Sequence, residues 1–217
     1  MMIPKTLHQM WIGGDPPPFI VDCLRTASVL DDWERTIWTD DNVEQMFPLA
    51  NQGLWDKAGD ISPRPLQFRA DVFRYEILWR YGGVWADADF EFIKPLDPLL
   101  DEPFATFELE GHWVNNAMIG VPRYHPTMAA AMDLLGANIE NVSRRRAKPP
   151  NTILSGPKFF TPIARRALTI HPQAWFYPYG YAEVGAYPAE IGQEYPEHPD
   201  LYAVHHWNNK RTEKNLW

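Results

Sequence analysis

The sequence predicts a single α/β domain in which a mixed, mostly parallel sheet is flanked by helices. Strand-like segments alternate with segments of helical periodicity along the chain, which is typical of this fold class. A length of 217 residues with 45% hydrophobic residues allows one substantial core and requires no second domain. We therefore treat residues 1–217 as one unit.

The first half of the chain begins with strand, helix and strand signals. Residues 5–13 are strand-like and stop at a glycine pair followed by three prolines. Residues 19–30 carry apolar residues at helical spacing, and residues 35–42 resemble a second strand. Residues 51–65 are predicted to be mostly loop. These signals place a β-α-β start at the N-terminal end.

The strongest helix signal covers residues 65–83, with proline at its start and Gly82 as its C-terminal stop. Residues 80–92, RYGGVWADADFEF, follow as a buried strand. Further strands are predicted at 104–107, 117–121 and 201–206, and helices at 126–141 and 158–169, with a loop over 147–157. The second half thus continues the alternation.

Composition excludes several classes of function. The net charge is −8 and no run of basic residues exceeds three, so nucleic acid is not an expected partner. The single cysteine, Cys23, excludes an internal disulfide and fits a reducing compartment. The sequence shows no signal-peptide pattern and no apolar run of membrane-spanning length. We expect a cytoplasmic protein without a membrane span.

Two carboxylates interrupt the apolar segment 80–92. In an extended strand, Asp87 and Asp89 would project to the same face, since side chains alternate with a period of two. Burying two carboxylates together without a cation is costly, and their oxygens suit Mg²⁺ or Mn²⁺. A solvated strand end or a pair of caps is the alternative. The pair suggests a divalent metal site.

Residues 69–97, RADVFRYEILWRYGGVWADADFEFIKPLD, resemble the signature of sugar-nucleotide glycosyltransferases with a D-x-D motif. These are capsule-type and initiating mannosyltransferase-like enzymes, distantly related to the clostridial glucosylating toxins. The opening IPKTLHQMWIGG and the later AVHHW add ordered, looser matches. The resemblance implies a GT-A type, Rossmann-like fold. It also implies metal-dependent sugar transfer, usually with retention, from a nucleoside diphosphate donor (a UDP- or GDP-sugar) to a glycan or other hydroxyl acceptor.

The resemblance also implies roles for individual residues. Asp71, Arg74, Asp87 and Asn116 would be catalytic, with Asp71 on the donor sugar hydroxyls and Arg74 on sugar or phosphate. The alternative for Asp71 and Arg74 is a surface i,i+3 ion pair, which contributes little stability. For Asn116 the alternative is an ordinary turn residue.

Donor contacts are implied for one further group of residues. Trp11 would stack on the base, although packing in the core is an equal alternative. The full set implied for donor binding is Gln9, Met10, Trp11, Asp71, Arg74, Tyr75, Gly83 and Asp87. Ser155-Gly156-Pro157 would line the acceptor pocket, or Ser155 would cap a helix.

The metal site would be completed by His205, with His206 or Asn208 as alternatives. The predicted ligand set is thus Asp87, Asp89 and His205, holding Mn²⁺ or Mg²⁺. In the family a Ser-Trp follows this histidine closely, and here it is missing. Two other functions stay open: a metal-dependent phosphohydrolase of nucleotide sugars and a non-catalytic nucleotide-sugar-binding module.

Overall fold

A computed structural model describes residues 2–109, 111–180, 183 and 190–208 of the chain. These residues form two sheets surrounded by helices. The strands are β1 Thr6–Met10, β2 Glu34–Trp38, β3 Gly83–Ala86, β4 Phe90–Phe92, β5 Phe104–Leu109, β6 Trp113–Val121, β7 Thr169–His171 and β8 Ala203–His205. The helices are α1 Pro18–Thr26, α2 Gln52–Asp56, α3 Ala58–Ile61, α4 Pro65–Tyr81, α5 Pro126–Ser143, α6 Asn151–Leu154 and α7 Pro157–Ala164.

The central sheet has six strands in the order β2-β1-β3-β6-β5-β7. The pairs β1–β2, β1–β3 and β5–β7 are parallel, whereas β6 is antiparallel to both of its neighbours. Strands β4 and β8 form a separate antiparallel pair. The predicted mixed, mostly parallel α/β sheet is confirmed.

Hydrophobic clusters cover both faces of the central sheet. Successive side chains of an inner strand such as β3 pack into opposite clusters. Trp85 of β3 packs with Phe73 and Phe160 in one hydrophobic cluster, beneath helices α4, α5 and α7. Its neighbour Val84 belongs to the second cluster, which includes Phe90 and Tyr177. This alternation is expected for a strand buried on both sides. It places β3, and the chain that follows it, at the centre of the fold.

Four predicted elements were wrong in detail. The segment 51–65 contains α2 and α3, so it is not mostly loop, and the predicted loop over 147–157 contains α6. Helix α7 ends at Ala164, and the last residue of its predicted range, Thr169, begins the edge strand β7. The segment 80–92 is not one strand: β3 ends at Ala86, the chain turns, and β4 then pairs with β8 in the other sheet. That turn carries the two aspartates.

Gly82 and Gly83 let helix α4 pass directly into β3. Their φ angles are +68° and +92°, in the left-handed region that favours glycine. A Cβ on Gly83 would lie 2.5 Å from the carbonyl oxygen of Thr6 on β1. Gly82 also accepts a hydrogen bond from His8 Nε2 at 3.1 Å. The glycine pair therefore fixes the close packing of α4, β1 and β3.

His8 makes stability depend on pH. Burial lowers the pKa of this side chain to about 4, against the opposing effect of its bond to Gly82. As pH falls toward that value, the unfolded chain takes up a proton that the folded chain lacks. The free energy of unfolding should therefore fall by about 3 kcal/mol between about pH 6.5 and about pH 4. His8→Gln should remove this part of the slope in urea unfolding, whereas the exposed-site control His112→Gln should leave it unchanged.

Within the described ranges, no helix is both long and apolar enough to cross a membrane.

Candidate functional site

A cavity of about 510 Å³ opens where β3 ends. The chain leaving β3 is held to β6, since the Asp87 amide donates to the Ala117 carbonyl at 2.9 Å. Cavity-lining residues come from five regions: the start of α4 with the two residues before it, the turn after β3, the neighbouring strands β5 and β6, the segment 146–157, and the end of β8 with Trp207. Those that carry charged or amide side chains are Arg64, Gln67, Asp71, Arg74, Asp87, Asp89, Glu108, Asn115, Asn116, Arg146, Lys148, Asn151 and His205.

The structure brings the three predicted metal ligands together. One possible ligand atom from each of Asp87, Asp89 and His205 lies within 4.8 Å of the other two. The predicted reason was wrong: the aspartates do not share a strand face but flank Ala88 in a turn, in which Phe90 N donates to Asp87 O at 3.1 Å. Two carboxylates and an imidazole are suitable ligands for Mn²⁺, and their oxygens can also bind Mg²⁺.

Asp89 and His205 form a buried pair across β4 and β8. His205 Nε2 lies 3.1 Å from Asp89 Oδ1, and the Asn208 amide donates to Asp89 Oδ2 at 2.8 Å. Burial favours the neutral form of both groups, but their mutual attraction outweighs it. The pKa of Asp89 is held at about 2, and the pKa of His205 is raised. Each group thus favours the charged form of the other, and a metal ion at His205 would compete with a proton for the imidazole.

Arg74 is buried between two carboxylates. Its Nη2 lies 3.0 Å from Asp71 Oδ1 and 3.0 Å from Asp87 Oδ1, and its guanidinium covers the Trp85 ring. Burial opposes its charge, but Asp87 and Asp71 outweigh this effect and raise the pKa of Arg74. The surface ion-pair alternative is therefore wrong, since the side chains of Arg74 and Asp71 are 2% and 5% exposed. Arg74, on helix α4, is thereby bound to the turn that carries Asp87 and Asp89.

Asp71 is the centre of a buried hydrogen-bond network. It accepts from Asn116 Nδ2 at 2.9 Å and from Ser155 Oγ at 2.6 Å. Burial raises its pKa, and Arg74 and Ser155 oppose the rise. Together with Arg74, these partners take three of about four acceptor positions on the carboxylate. Asp71 lines the cavity, but its contact with donor hydroxyls stays a prediction.

Asn116 and Ser155 have structural partners that the sequence did not show. Asn116 lies in β6 rather than a turn, and its main-chain carbonyl accepts a hydrogen bond from Arg74. The Ser155 hydroxyl donates to Asp71, so its preferred interpretation as a helix cap was wrong. The Ser-Gly-Pro motif was the available signal, and Gly156 and Pro157 do line the cavity.

Tyr75 and Gly83 lie away from the cavity surface. The Tyr75 hydroxyl donates to the Ser155 carbonyl at 2.6 Å and accepts from Asn116 Nδ2 at 3.1 Å, behind the wall that Asn116 forms. Gly83 begins β3, at the opposite end from Asp87. Neither residue lines the cavity, and their predicted donor contacts stay predictions that this arrangement does not favour.

Gln9, Met10 and Trp11 lie at the carboxyl end of β1. Met10 packs in the first hydrophobic cluster, and Trp11 is half-buried with its amide on the Trp38 carbonyl at 2.9 Å. Gln9 is 2% exposed, and its Nε2 has no hydrogen-bond partner among the described residues. Such a buried donor usually has a partner. None of the three lines the cavity, so their contact with a donor remains a prediction, and Gln9 offers the clearest free group.

Glu108 of β5 is a cavity residue that sequence reasoning missed. Burial raises the pKa of its carboxyl, while His205 and Lys158 oppose the rise. A carboxyl with a raised pKa in a cavity can exchange protons closer to neutral pH than an exposed one. No local pattern in the sequence distinguishes Glu108 from a surface residue, because its burial depends on the β5–β6 pairing.

His206 is buried but faces a different carboxylate from His205. Its Nε2 lies 2.9 Å from Glu91 Oε2, and its Nδ1 lies 3.0 Å from the Tyr179 hydroxyl. Its main-chain amide donates to the Asp89 carbonyl at 3.0 Å. The preference for His205 over His206 as the inward-facing ligand therefore agrees with this geometry. Asn208 contacts Asp89 through its main-chain amide. Residues 209–217 lie outside the described residues.

Substituting the two histidines should separate metal binding from stability. His205→Ala is expected to weaken Mn²⁺ binding by at least about 10–100-fold, because a candidate ligand is lost. His206→Ala should leave Mn²⁺ affinity within a few-fold and instead lower the melting temperature, since it removes one of the partners of buried Glu91. Electron paramagnetic resonance of Mn²⁺ and thermal unfolding measure the two effects. Equal, small effects on Mn²⁺ would mean that another group completes the site.

Comparison with protein families identifies one matching region. Residues 25–105 match the family described as "Glycosyltransferase sugar-binding region containing DXD motif". This region includes helix α4, β3 and the turn with both aspartates. The resemblance predicted from the sequence is confirmed.

Curated relatives match part of this chain, and the matched region is a smaller share of their own length. Inositol phosphoceramide mannosyltransferase 3 of Schizosaccharomyces pombe is 32% identical over 57% of this chain and 35% of its own length. Inositol phosphoceramide mannosyltransferase 1 of the same yeast is 30% identical over 73% of this chain and 50% of its own. The chain thus spans about a third to a half of the length of these relatives.

Solved structures share the fold at low sequence identity. The PaToxG glycosyltransferase superposes with a TM-score of 0.61 at 17% identity, covering 76% of this chain and 70% of its own. The galactosyltransferase LgtC, solved with donor and acceptor sugar analogues, gives a TM-score of 0.54 at 11% identity over 93% and 87%. The predicted GT-A type fold is confirmed by these neighbours.

Proposed function

We propose that this chain, whose residues 25–105 match the DXD-containing glycosyltransferase family, transfers a sugar from a nucleoside diphosphate donor to a hydroxyl acceptor. One observation carries the proposal. The candidate metal ligands Asp87, Asp89 and His205 line the same cavity as the buried Asp71–Arg74–Asn116 network. Donor phosphates and donor sugar would then meet at one wall.

The cation would be held by Asp87, Asp89 and His205, and Mn²⁺ or Mg²⁺ fits their donor atoms. When bound, the cation supplies positive charge against the departing diphosphate. Sugar transfer requires that charge because its transition state places negative charge on the leaving group and positive charge on the sugar.

The protein's own residues position the donor. Arg74 fixes the side chain of Asp87 and adds positive charge beside the phosphates. Asp71, with an acceptor position left, orients a sugar hydroxyl, and Asn116 lies next to it on the cavity wall. Trp11 and Gln9, at the carboxyl end of β1, provide a ring face and a buried amide for the base. This agrees with the general placement of ligands at the carboxyl ends of parallel strands.

The finer assignments are parts of this proposal. We infer retention at the anomeric carbon from the family resemblance, and the product anomer read by NMR tests it. The donor is a UDP- or GDP-sugar and the acceptor a glycan. The cytoplasmic location expected from the sequence stays a prediction.

A screen of sugar nucleotides tests the proposal. UDP- and GDP-sugars should raise the melting temperature in the presence of Mn²⁺ and much less without it, since a ligand at about 100 times its Kd stabilises by about 2.7 kcal/mol. The stabilising donor should also be hydrolysed slowly to free sugar and nucleoside diphosphate. Cleavage inside the diphosphate would indicate a phosphohydrolase, and binding without turnover would indicate a binding module.

A further inference from the structure

The cavity carries three basic side chains apart from the predicted donor residues. The cavity is lined by Arg64, Arg146 and Lys148 as well as by the turn with the two aspartates. We propose that this basic rim, defined by these three residues, binds an anionic group, a phosphate or carboxylate, on the acceptor. The inference rests on the proposed glycosyltransferase function and names the chemistry of its second substrate.

The basic rim includes residues from a local cluster of positive charge in a chain whose net charge is negative. The net charge is −8, yet four of the 20 basic residues fall within residues 144–148, and no acidic residue lies among them. Three of the four acidic cavity residues pair with other groups: Asp71 and Asp87 bind Arg74, and Asp89 pairs with His205. The fourth, Glu108, belongs to β5 and not to the segments that carry the rim. A concentration of one charge sign in a cleft raises the local concentration of ligands with the opposite charge.

A buried asparagine fixes the two segments that carry the rim. Asn151 is 7% exposed, and its Nδ2 donates to the Arg64 carbonyl at 3.1 Å and to Gln67 Oε1 at 3.4 Å. Its side-chain carbonyl accepts from the Ser62 hydroxyl. The segment 62–67 is therefore bound to the first residue of helix α6. That helix begins three residues after Lys148. The three basic residues belong to one connected wall.

Lys148 is held in place on that wall. Its Nζ donates to the Gly59 carbonyl at 2.7 Å, and its backbone has a φ of +43°, which is uncommon for residues other than glycine. An ammonium group has three donors, and in the described part of the chain the Gly59 carbonyl takes one. Two donors are then left for an anion bound in the cavity that Lys148 lines.

The position of the rim favours the acceptor over the donor. The donor diphosphate is served by the candidate cation site and Arg74, which lie on α4, the turn after β3, and β8. The rim comes from different segments, before α4 and before α6. A second substrate has to enter along the walls that the donor leaves open. An anionic acceptor would therefore meet Arg64, Arg146 and Lys148.

Matched sugar pairs test the inference on the full chain with Mn²⁺ and UDP or GDP bound. Mannose 6-phosphate and glucuronate should bind at least about tenfold more tightly than mannose and glucose, as expected for charge-assisted hydrogen bonds. Arg146→Ser combined with Lys148→Ser should remove this advantage. Arg144→Ser is the matched control, because Arg144 lies 3.9 Å from Glu140 and does not line the cavity.

The outcomes are separable. Equal binding of charged and neutral sugars would overturn the inference, and so would a double variant that weakens UDP or GDP binding as strongly as sugar phosphate binding. In both cases the proposed function stands. If the wild-type chain binds neither nucleotide with Mn²⁺, the proposed function itself fails. Vesicles of phosphatidylinositol in phosphatidylcholine, compared with phosphatidylcholine alone, show whether a lipid headgroup presents the anion. Vesicle binding that the double variant retains counts against the basic rim.

Discussion

Asp89→Asn is expected to abolish cation-dependent donor binding and to reduce sugar transfer by at least about 100-fold. The substitution keeps the size of the side chain but removes the charge that pairs with His205 and contributes to the candidate cation site. The Mn²⁺-dependent rise in melting temperature produced by a donor should disappear. Direct Mn²⁺ binding, followed by electron paramagnetic resonance, should weaken in parallel.

Alanine is less informative than asparagine at this position. Asp89 is 8% exposed and accepts hydrogen bonds that hold the chain after β8, so Asp89→Ala would also loosen the fold. Asp87→Asn provides the independent variant, because the Asp87 side chain is 29% exposed and Arg74 keeps its second carboxylate, Asp71. Asp101→Asn, an exposed residue outside the cavity, is the matched control. Donor binding that stays Mn²⁺-dependent in both cavity variants would refute the metal assignment.

Arg74→Met is expected to destabilise the chain by about 3–5 kcal/mol, because it leaves the Asp71 and Asp87 carboxylates without their shared cation. Donor binding should be lost as well, since Asp87 would no longer be fixed. Arg74→Lys should recover only part of both losses, because an ammonium cannot reproduce the planar contacts of a guanidinium. Urea unfolding and donor thermal shifts measure the two effects.

The chain contains a matched control for Arg74. Arg25 and Asp22 form an i,i+3 pair of the same residue types at 2.9 Å on helix α1, with side chains 74% and 52% exposed. Arg25→Met should change the free energy of unfolding by less than about 1 kcal/mol. A similarly small change for Arg74→Met would mean that the buried pair has no stabilising or organising role.

Local sequence signals determined a large part of this protein. The helical periodicity of residues 65–81, the glycine pair that ends it and the apolar residues of β3 are features of neighbouring residues, and the structure has each of them. The D-x-D motif and its surroundings were sufficient for the family, because they lie within one continuous segment. The candidate metal ligands Asp87 and Asp89 lie in that same segment.

The tertiary structure decided how those residues are arranged. Asp89 meets His205 across 116 positions of sequence because β4 and β8 pair, and no local pattern specifies that pairing. The same pairing directs His206 to Glu91, so both histidines are buried although they are neighbours in the sequence. Ser155 and Glu108 join the site through contacts between distant elements. Periodicity and turn chemistry act between neighbours, whereas a site is assembled by long-range packing, so the sequence determined the components and the fold determined their partners.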